Sequence, residues 1–487
     1  MRRQSTVLLA LATSTVLAAP AHAQESGWVP LFDGQSLAGW KAAENPPSFR
    51  SVSGTIECGG PKAHLFYVGP DGQAAFEDFE LSLEVKTRPG TNSGVYFHTA
   101  YQEKDWPAQG FEVQVNNSQK LRGDYLEMKK TGSLYGIRNL YKALVPDDAW
   151  FTMNVIVRRP RVEVRLDGRL VVDWVEPSGR LPEGAKINRL GRGTFALQCH
   201  DPDSPVSYRN LRVRPLAPAA AAAVPKPTVD ESYARMLELG KANFPLVDLH
   251  VHLKGGLDLP RALALSRETG MFFGVAANCG QGMPVRTDAE AAAFVDSLRG
   301  QPVFVGMQAE GREWTSMFSK ETRARFDYVF TDAMTWTNPA GKRMRLWIPE
   351  EVEIGPDPEA FMDLLVSKTV AILETEPIDV YVNPTFLPAA IAERYDALWT
   401  EARMAKVVDA AVKGGVAIEI GARYKIPSER FLRLAKSKGA KFTFGTNNAG
   451  AADLGDWSYP LAMQKALGLT WTDMFVPGHQ KSRAQRE

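Results

Sequence analysis

Three short stretches put polar or titratable side chains at strand positions where a buried sheet would carry apolar ones. They are GVYFH (Gly94–His98), GFEVQV (Gly110–Val115) and FALQCH (Phe195–His200). Side chains alternate faces along a strand. Val95 and Phe97 therefore share one face while Tyr96 and His98 share the other. Phe111, Val113 and Val115 oppose Glu112 and Gln114, and Leu197 and Cys199 oppose Gln198 and His200. If the three strands join one sheet, a single face gathers a Tyr, two His, a Glu and two Gln. A solvated face would more usually carry Lys, Thr, Ser and Arg. This set of donors, acceptors and titratable groups reads as a binding or catalytic floor. The plainer reading is that buried Glu and Gln simply satisfy one another's hydrogen bonds.

A second constellation lies in PLVDLHVHLKGG. Asp248, His250 and His252 share one strand face by their period of two. An H-x-H pair at the C-terminal end of a barrel's first strand can hold one metal ion through both imidazoles. Asp248 would then orient one imidazole from behind. Glu419, in VAIEIG, points opposite to Ile418 and Ile420. Such a carboxylate is costly to bury without a partner, so it either lines the barrel mouth or pairs with Arg423 or Lys425. Trp314, Trp336, Trp347 and Trp457 fall in loops that follow strands, where they would stack on sugars or pack as a lid.

The elements that must position these groups fall into two rhythms. Up to Leu216 the chain reads as short alternating strands separated by turn residues, from FEDFELSLEVKT through RVEVRLDGRLVVDWV to VSYRNLRVRPL. This predicts an all-β jelly-roll sandwich over residues 24–216. LFDGQSLAGW is read as structural, with Phe32 and Trp40 packing and Asp33-Gly34 in a turn. An Ala/Pro linker follows over 217–229, around APAAAAAVPKP. The rhythm then changes to strand and helix over 230–478, with a polar tail at 479–487. Seven apolar strands are expected at Leu246–Leu253, Phe272–Cys279, Val303–Glu310, Tyr328–Asp332, Val380–Thr385, Val416–Gly421 and Phe442–Thr446. Helices such as Pro260–Thr269, Asp288–Arg299, Pro358–Glu374, Leu398–Lys413 and Ser428–Lys438 separate most of them. That alternation predicts an α/β barrel of (β/α)7 type.

Bulk properties narrow the partners. The 487 residues are too many for one ordinary domain. The net charge of +1 gives no footprint for nucleic acid or an anionic membrane surface. Arg2 and Arg3, the apolar run Val7–Ala19 and Ala21-His22-Ala23 form a signal segment over residues 1–23. Export to the periplasm or the medium is therefore expected. No later apolar run is long enough to span a bilayer. The three cysteines, Cys58, Cys199 and Cys279, leave at least one thiol free, and burial as small hydrophobes is expected for them. A Cys58–Cys199 bridge is the alternative.

The first half resembles the 3-keto-disaccharide hydrolase domain family, a concanavalin-like jelly roll. The resemblance runs through LFDGQSLAGW (Leu31–Trp40), FEDFELSLE (Phe76–Glu84), NSGVYFH (Asn92–His98), GFEVQV (Gly110–Val115), TGSLYG (Thr131–Gly136) and the closing LQCHD and VSYRNLRVRPL. It implies a glycoside already oxidised to a ketone at sugar carbon 3. The ketone acidifies the proton on carbon 2, so an enolate forms and the group on carbon 1 leaves. Glu112 is the candidate base or metal ligand, and His98 and His200 the candidate acid, base or metal ligand. Tyr96, Gln114 and Gln198 would bind hydroxyls or the enolate oxygen, while Tyr135 and Trp106 would wall the sugar. A divalent metal on the ketone would act as a Lewis acid. The alternative from another class is a glycan-binding jelly roll attached to a metal-dependent hydrolase barrel.

The second half resembles the polymerase and histidinol phosphatase (PHP) family, whose barrel also has seven strands and carries up to three metals. Most of the family's ligands are replaced here. Asn278-Cys279 stand for an Asp-His pair, Asp332 and Met334 for Ser-x-His, Asn383-Pro384 for His-Pro, and Asn447 and Ala449 for Asp-x-His. The third-strand Glu is kept as Glu310. The resemblance implies a reduced site in which His250, His252 and Glu310, with Asp332 as a fourth ligand, bind one divalent ion such as Zn, Mn or Ca. Such a set cannot build a trinuclear phosphoesterase.

Overall fold

The computed structural model describes residues 27–179, 181, 188–218, 225–479 and 482. The expected signal segment, the middle of the Ala/Pro linker and most of the polar tail lie outside them.

The first half is a two-layer antiparallel sandwich. Among the described residues its back layer is an eight-stranded sheet and its front layer a five-stranded one. In the back sheet, strands Phe151–Arg158 and Arg161–Leu166 alternate strictly, while Phe79–Thr87 and Arg169–Val175 alternate with a break at Ser82 and at Val171. Their buried residues, such as Leu81, Val155, Val164 and Trp174, face the sandwich core. The front sheet runs Trp40–Ala43, Ala63–Tyr67, Thr194–Cys199, Ser93–Thr99 and Phe111–Val115, in that spatial order. All three stretches with polar faces thus join one sheet. Leu65, Val95, Phe97, Val113 and Leu197 turn inward to the core. Ala43, Phe66, Tyr96 and Ala196 form a separate apolar patch on the outer face. LFDGQSLAGW is a structural corner. The Asp33 carboxylate accepts from the Gln35 and Ser36 amides, and the Trp40 indole donates to the Leu31 carbonyl at 2.7 Å.

The strand Ala63–Tyr67 (AHLFY) is an element the sequence reading omits. It is buried on both faces, so its alternation is masked by apolar residues of both parities.

The second half is a closed barrel of seven parallel strands: Val247–Val251, Phe272–Gly280, Phe304–Glu310, Tyr328–Thr331, Val380–Tyr381, Ala417–Gly421 and Phe442–Gly445. Each expected strand has its counterpart. The separating helices begin with side-chain caps from Asp258, Thr287, Asp357, Thr400 and Ser428. A short hairpin, Thr335–Thr337 with Arg343–Arg345, and a helix at Glu231–Lys241 that precedes the barrel add to the expected set. No helix among the described residues is long and apolar enough to cross a membrane. Cys58, Cys199 and Cys279 are all free and buried.

The two halves pack firmly together. Arg138, buried in the long loop after Phe111–Val115, donates from Nε to the Arg267 carbonyl at 2.8 Å and from Nη2 to that of Glu268 at 2.6 Å. These carbonyls belong to the last turn of the helix Leu259–Thr269, where a cation meets the negative end of the dipole. Asn243 accepts from the Met128 amide and the Lys129 ammonium, and donates to the Leu126 carbonyl at 2.6 Å. The Tyr141 hydroxyl donates to the Phe244 carbonyl, and Lys142 pairs with Asp327 at 2.6 Å.

A candidate active site on the front sheet

The outer face of the front sheet is the floor of a cleft of about 910 Å³. Tyr96, Glu112, Gln114, Gln198, His200, Trp106 and Tyr135 all line it, as the sequence reading expects. Strand pairing explains the convergence. Tyr96 lies opposite Glu112 in register, and Gly94 opposite Gln114. Gln198 lies opposite His64 on the other flank.

The centre of the floor is a tight polar network. Gln198 Nε2 donates to the Tyr96 hydroxyl at 2.8 Å and to Glu112 Oε1 at 3.1 Å. Glu112 lies across Gly94. A Cβ built on that glycine would stand 2.4 Å from Glu112 Oε1, so only glycine leaves room for the carboxylate here. Burial, then the Glu112 charge, push the Tyr96 phenol well above its ordinary pKa. It therefore acts as a neutral donor.

Beside this network the cleft holds polar atoms with no protein partner. Gln114 Nε2 donates to Asn92 Oδ1 at 2.7 Å, yet Gln114 Oε1 and Asn92 Nδ2 remain unpaired and buried. Gln198 Oε1 is likewise buried and unpaired. Buried polar atoms are rarely left so, because each costs about 1–3 kcal/mol. Two acceptors and one donor on residues that line one cleft fit a ligand rich in hydroxyl and carbonyl oxygens.

The rim is built from loops. His200 Nδ1 is held by Asp201 Oδ2 at 2.7 Å, and Asp201 in turn accepts from Arg122 at 2.6 Å. Burial pushes the Asp201 carboxyl up, but His200, Arg122 and Ser204 outweigh it and hold it below the usual range. Trp106, 44% exposed, packs at 5.3 Å centroid distance from His200 and 5.4 Å from His64. Its loop is ordered by Gln102, whose amide donates to the carbonyls of Lys104 and Trp106. Across the cleft, Glu127 Oε2 accepts from the hydroxyls of Tyr125 at 2.6 Å and Tyr135 at 3.0 Å. Burial pushes the Glu127 carboxyl up, but the Lys129 ammonium and the Tyr125 hydroxyl keep it below the usual range.

The structure does not bring His98 to the cleft. A bulge interrupts the pairing of Ser93–Thr99 with Thr194–Cys199, and His98 takes a φ of +53°. Alternation therefore fails at this residue and the ring turns away. His98 Nε2 donates to the Glu77 carbonyl at 2.8 Å, and Nδ1 accepts from the Gly191 amide at 3.3 Å. Burial lowers its pKa to about 4. It is a neutral structural pin packed on Phe79 and Phe97.

The cleft also takes residues that the alternation argument missed. Asn92, Tyr125, Glu127 and Lys241 line it, and His64 packs against Tyr96 behind Trp106. His64 had a signal: it holds the polar parity of AHLFY, masked by Phe66. Tyr125, Glu127 and Lys241 come from a loop and a distant helix that carry no periodicity.

In the barrel, the expected metal set does not converge. His250 uses both ring nitrogens, Nδ1 with Glu419 Oε1 at 2.6 Å and Nε2 with Gln308 Oε1 at 3.2 Å. His252 Nδ1 donates to the Ala276 carbonyl, while His252 Nε2 and Glu310 Oε2 are buried without a partner. Glu310 accepts from Asn278 and Gln308, and burial with Asp332 nearby raises its pKa to about 8. Asp332 accepts from Asn383 at 3.3 Å, and burial raises its carboxyl too. An imidazole already bonded on both sides is a poor donor to a cation. Among the described residues, no group of three or more His, Cys, Asp or Glu is placed to hold a metal ion. Asp248 holds no imidazole. It accepts from the His250 and Thr446 amides and the Trp457 indole. Glu419 pairs with His250 and the Asn383 amide rather than with Arg423 or Lys425. Trp314, Trp336 and Trp457 are buried, which makes them packing residues, while Trp347 is part-exposed.

No curated protein matches the chain. Among solved structures, a candidate glycosyl hydrolase from Parabacteroides distasonis ATCC 8503 is 21% identical over 39% of this chain and 94% of its own, with a TM-score of 0.34. A second from the same organism is 25% identical over 39% and 99%, with a TM-score of 0.31. The carbohydrate binding module CBM66 of Bacillus subtilis is 12% identical over 36% and 96%, with a TM-score of 0.26. Residues 27–214, the sandwich that carries the cleft, match the family model of the 3-keto-alpha-glucoside-1,2-lyase-like domain.

Proposed function

We propose that the first half cleaves glycosides whose sugar carries a ketone at carbon 3, by β-elimination that water addition can turn into net hydrolysis. The observation that carries this reading is the floor itself: an amide that bridges a carboxylate and a neutral phenol, beside unpaired buried amide atoms, inside the domain that matches the lyase-like family.

The chemistry follows from those groups. Glu112 takes the proton from carbon 2, and the C–H electron pair spreads over carbons 2 and 3 and the ketone oxygen. Donors in the cleft, Asn92 Nδ2 and the Tyr96 hydroxyl, stabilise the charge on that oxygen. The pair then forms the bond between carbons 1 and 2 and expels the oxygen on carbon 1, which takes a proton from His200, oriented by Asp201. The products are a 1,2-unsaturated 3-keto sugar and an alcohol. Water adding across the new double bond gives the 3-keto sugar. Gln114 Oε1 and Gln198 Oε1 accept from sugar hydroxyls, and Trp106 and Tyr135 flank the ring.

The barrel is read as PHP-like from its seven-strand closure and the DLHVHL strand, and no reaction is assigned to it. Export is proposed from residues 1–23 alone.

The test is turnover of a 3-keto-glucoside by the full chain, compared with Glu112→Gln. Removing a catalytic base typically costs about 10²–10⁴-fold in rate. Turnover that survives Glu112→Gln would remove Glu112 from this role. A chain that binds the glycoside without any turnover would favour a glycan-binding module instead.

A further inference from the structure

The cleft of the first half has one wall that belongs to the second. Lys241 ends the helix Glu231–Lys241, which leads into the barrel, and it lines the cleft beside Tyr135 and Glu127. Its placement is built rather than incidental. Its stem lies over Gly136, where a Cβ would stand 2.9 Å from Lys241 Cγ, and Gly136 has a φ of +73°. The next contact is backbone on backbone: a Cβ on Gly240 would stand 3.4 Å from the Gly136 carbonyl oxygen. The Asn139 amide donates to the Gly240 carbonyl at 3.3 Å. Asn243 and Phe244, just beyond, are bonded to Leu126, Met128 and Tyr141. The loop that carries Glu127 and Tyr135 is thus clamped to the residues that carry Lys241.

The cleft is lined by charges of both signs. Glu112 and Glu127 supply the carboxylates. Two lining residues carry an ammonium group. Lys104 sits exposed on the Trp106 loop, where water screens it, whereas Lys241 is half-buried.

We infer that Lys241, supplied by the second half, is a substrate-contacting residue of the cleft, whose ammonium donates to the ketone oxygen of a 3-keto-glycoside as that oxygen gains charge. This rests on the elimination reading above. No proton need leave the lysine; its N–H groups strengthen their hold as the electron pair arrives at the oxygen. Burial lowers the Lys241 pKa, which makes its hydrogen bond to an oxyanion a stronger one. The barrel domain is then part of the enzyme rather than an appended passenger.

The experiment compares the full chain with Lys241→Met and Lys241→Arg, reading kcat for a 3-keto-glucoside and Kd for the same glucoside unoxidised. Loss of one donor to an oxyanion costs about 10²-fold in kcat. Lys241→Met should show that loss with Kd for the unoxidised sugar within about twofold, and Lys241→Arg should restore most of it. An unchanged kcat in Lys241→Met would overturn the inference. So would a loss matched by weaker binding of the unoxidised sugar and a lower Tm, the mark of a merely structural lysine. If the unaltered chain turns nothing over, the elimination reading fails, and Kd for the 3-keto-glucoside decides instead. Weaker binding by Lys241→Met alone would uphold the contact, whereas equal binding, or none by either, would overturn it.

Discussion

Gly94→Ala tests the floor of the cleft at the scale of one methyl group. The strand position has an ordinary backbone, so alanine adds no conformational strain and even gains about 0.5–1 kcal/mol over glycine within a strand. The new Cβ, however, would stand 2.4 Å from Glu112 Oε1 and 3.0 Å from its Cγ and Cδ. An ordinary contact needs about 3.4 Å, so the carboxylate must retreat by about 1 Å. That retreat breaks the 3.1 Å bond from Gln198, worth about 1.5–3 kcal/mol when the acceptor is charged. The net cost to stability is then about 1–2 kcal/mol. The cost to catalysis is larger, because a 1 Å misplacement of a reacting group is worth about 10²-fold in rate. The variant should therefore stay folded, shift its urea midpoint modestly, and lose about 10²-fold in kcat on a 3-keto-glucoside. Full activity in Gly94→Ala would refute the assignment of Glu112 as the base. A loss of stability beyond about 4 kcal/mol would show that the methyl group breaks strand pairing rather than moving the carboxylate.

Two further outcomes follow from groups outside the cleft. His98 is neutral and fully engaged in the folded state, with a pKa near 4 against 6.5 in the unfolded chain. The unfolded chain therefore takes up the proton first, and stability falls as pH drops from about 6.5 to 4, by up to about 3 kcal/mol, then levels off. His98→Gln should flatten that part of the urea-midpoint profile while leaving kcat within about threefold; a large loss of kcat would return His98 to the chemistry. Arg138→Met strips two helix-end carbonyls of their donors and should cost about 3 kcal/mol. Calorimetry should then resolve two unfolding transitions where the unaltered chain gives one, and a single unshifted transition would show that the guanidinium does not couple the halves.

The architecture was readable because both periods are strong. Alternation at Leu81, Leu83 and Val85 and the strand–helix rhythm from Val247 onward each leave a local trace. The floor of the cleft was readable for the same reason, since Tyr96, Glu112, Gln114 and Gln198 obey parity in neighbouring strands. His98 shows the limit of that argument. Parity holds only while the ladder holds, and a single bulge with a left-handed residue sends a side chain to another environment without changing the local sequence pattern. His250 shows a second limit. Its spacing from His252 is that of a metal pair, but its fate is set by Glu419, 169 residues away, which no local spacing reveals. Glu127 and Lys241 lie beyond reach for a third reason: they meet through loop and interdomain packing, which has no period.

The contact between Gly136 and Gly240 also bears on how such a chain can change over time. A surface connection that packs against nothing is free to drift in length. Residues 126–141 and 240–244 are not free in that way, because Gly136 and Gly240 face each other's segments closely and a side chain gained on one must be matched by bulk lost on the other. The two segments are therefore inherited as a pair. Chains that exchange one half for a foreign counterpart should keep their folds but lose the fit between them, and descendants that retain both should show paired substitutions across this seam.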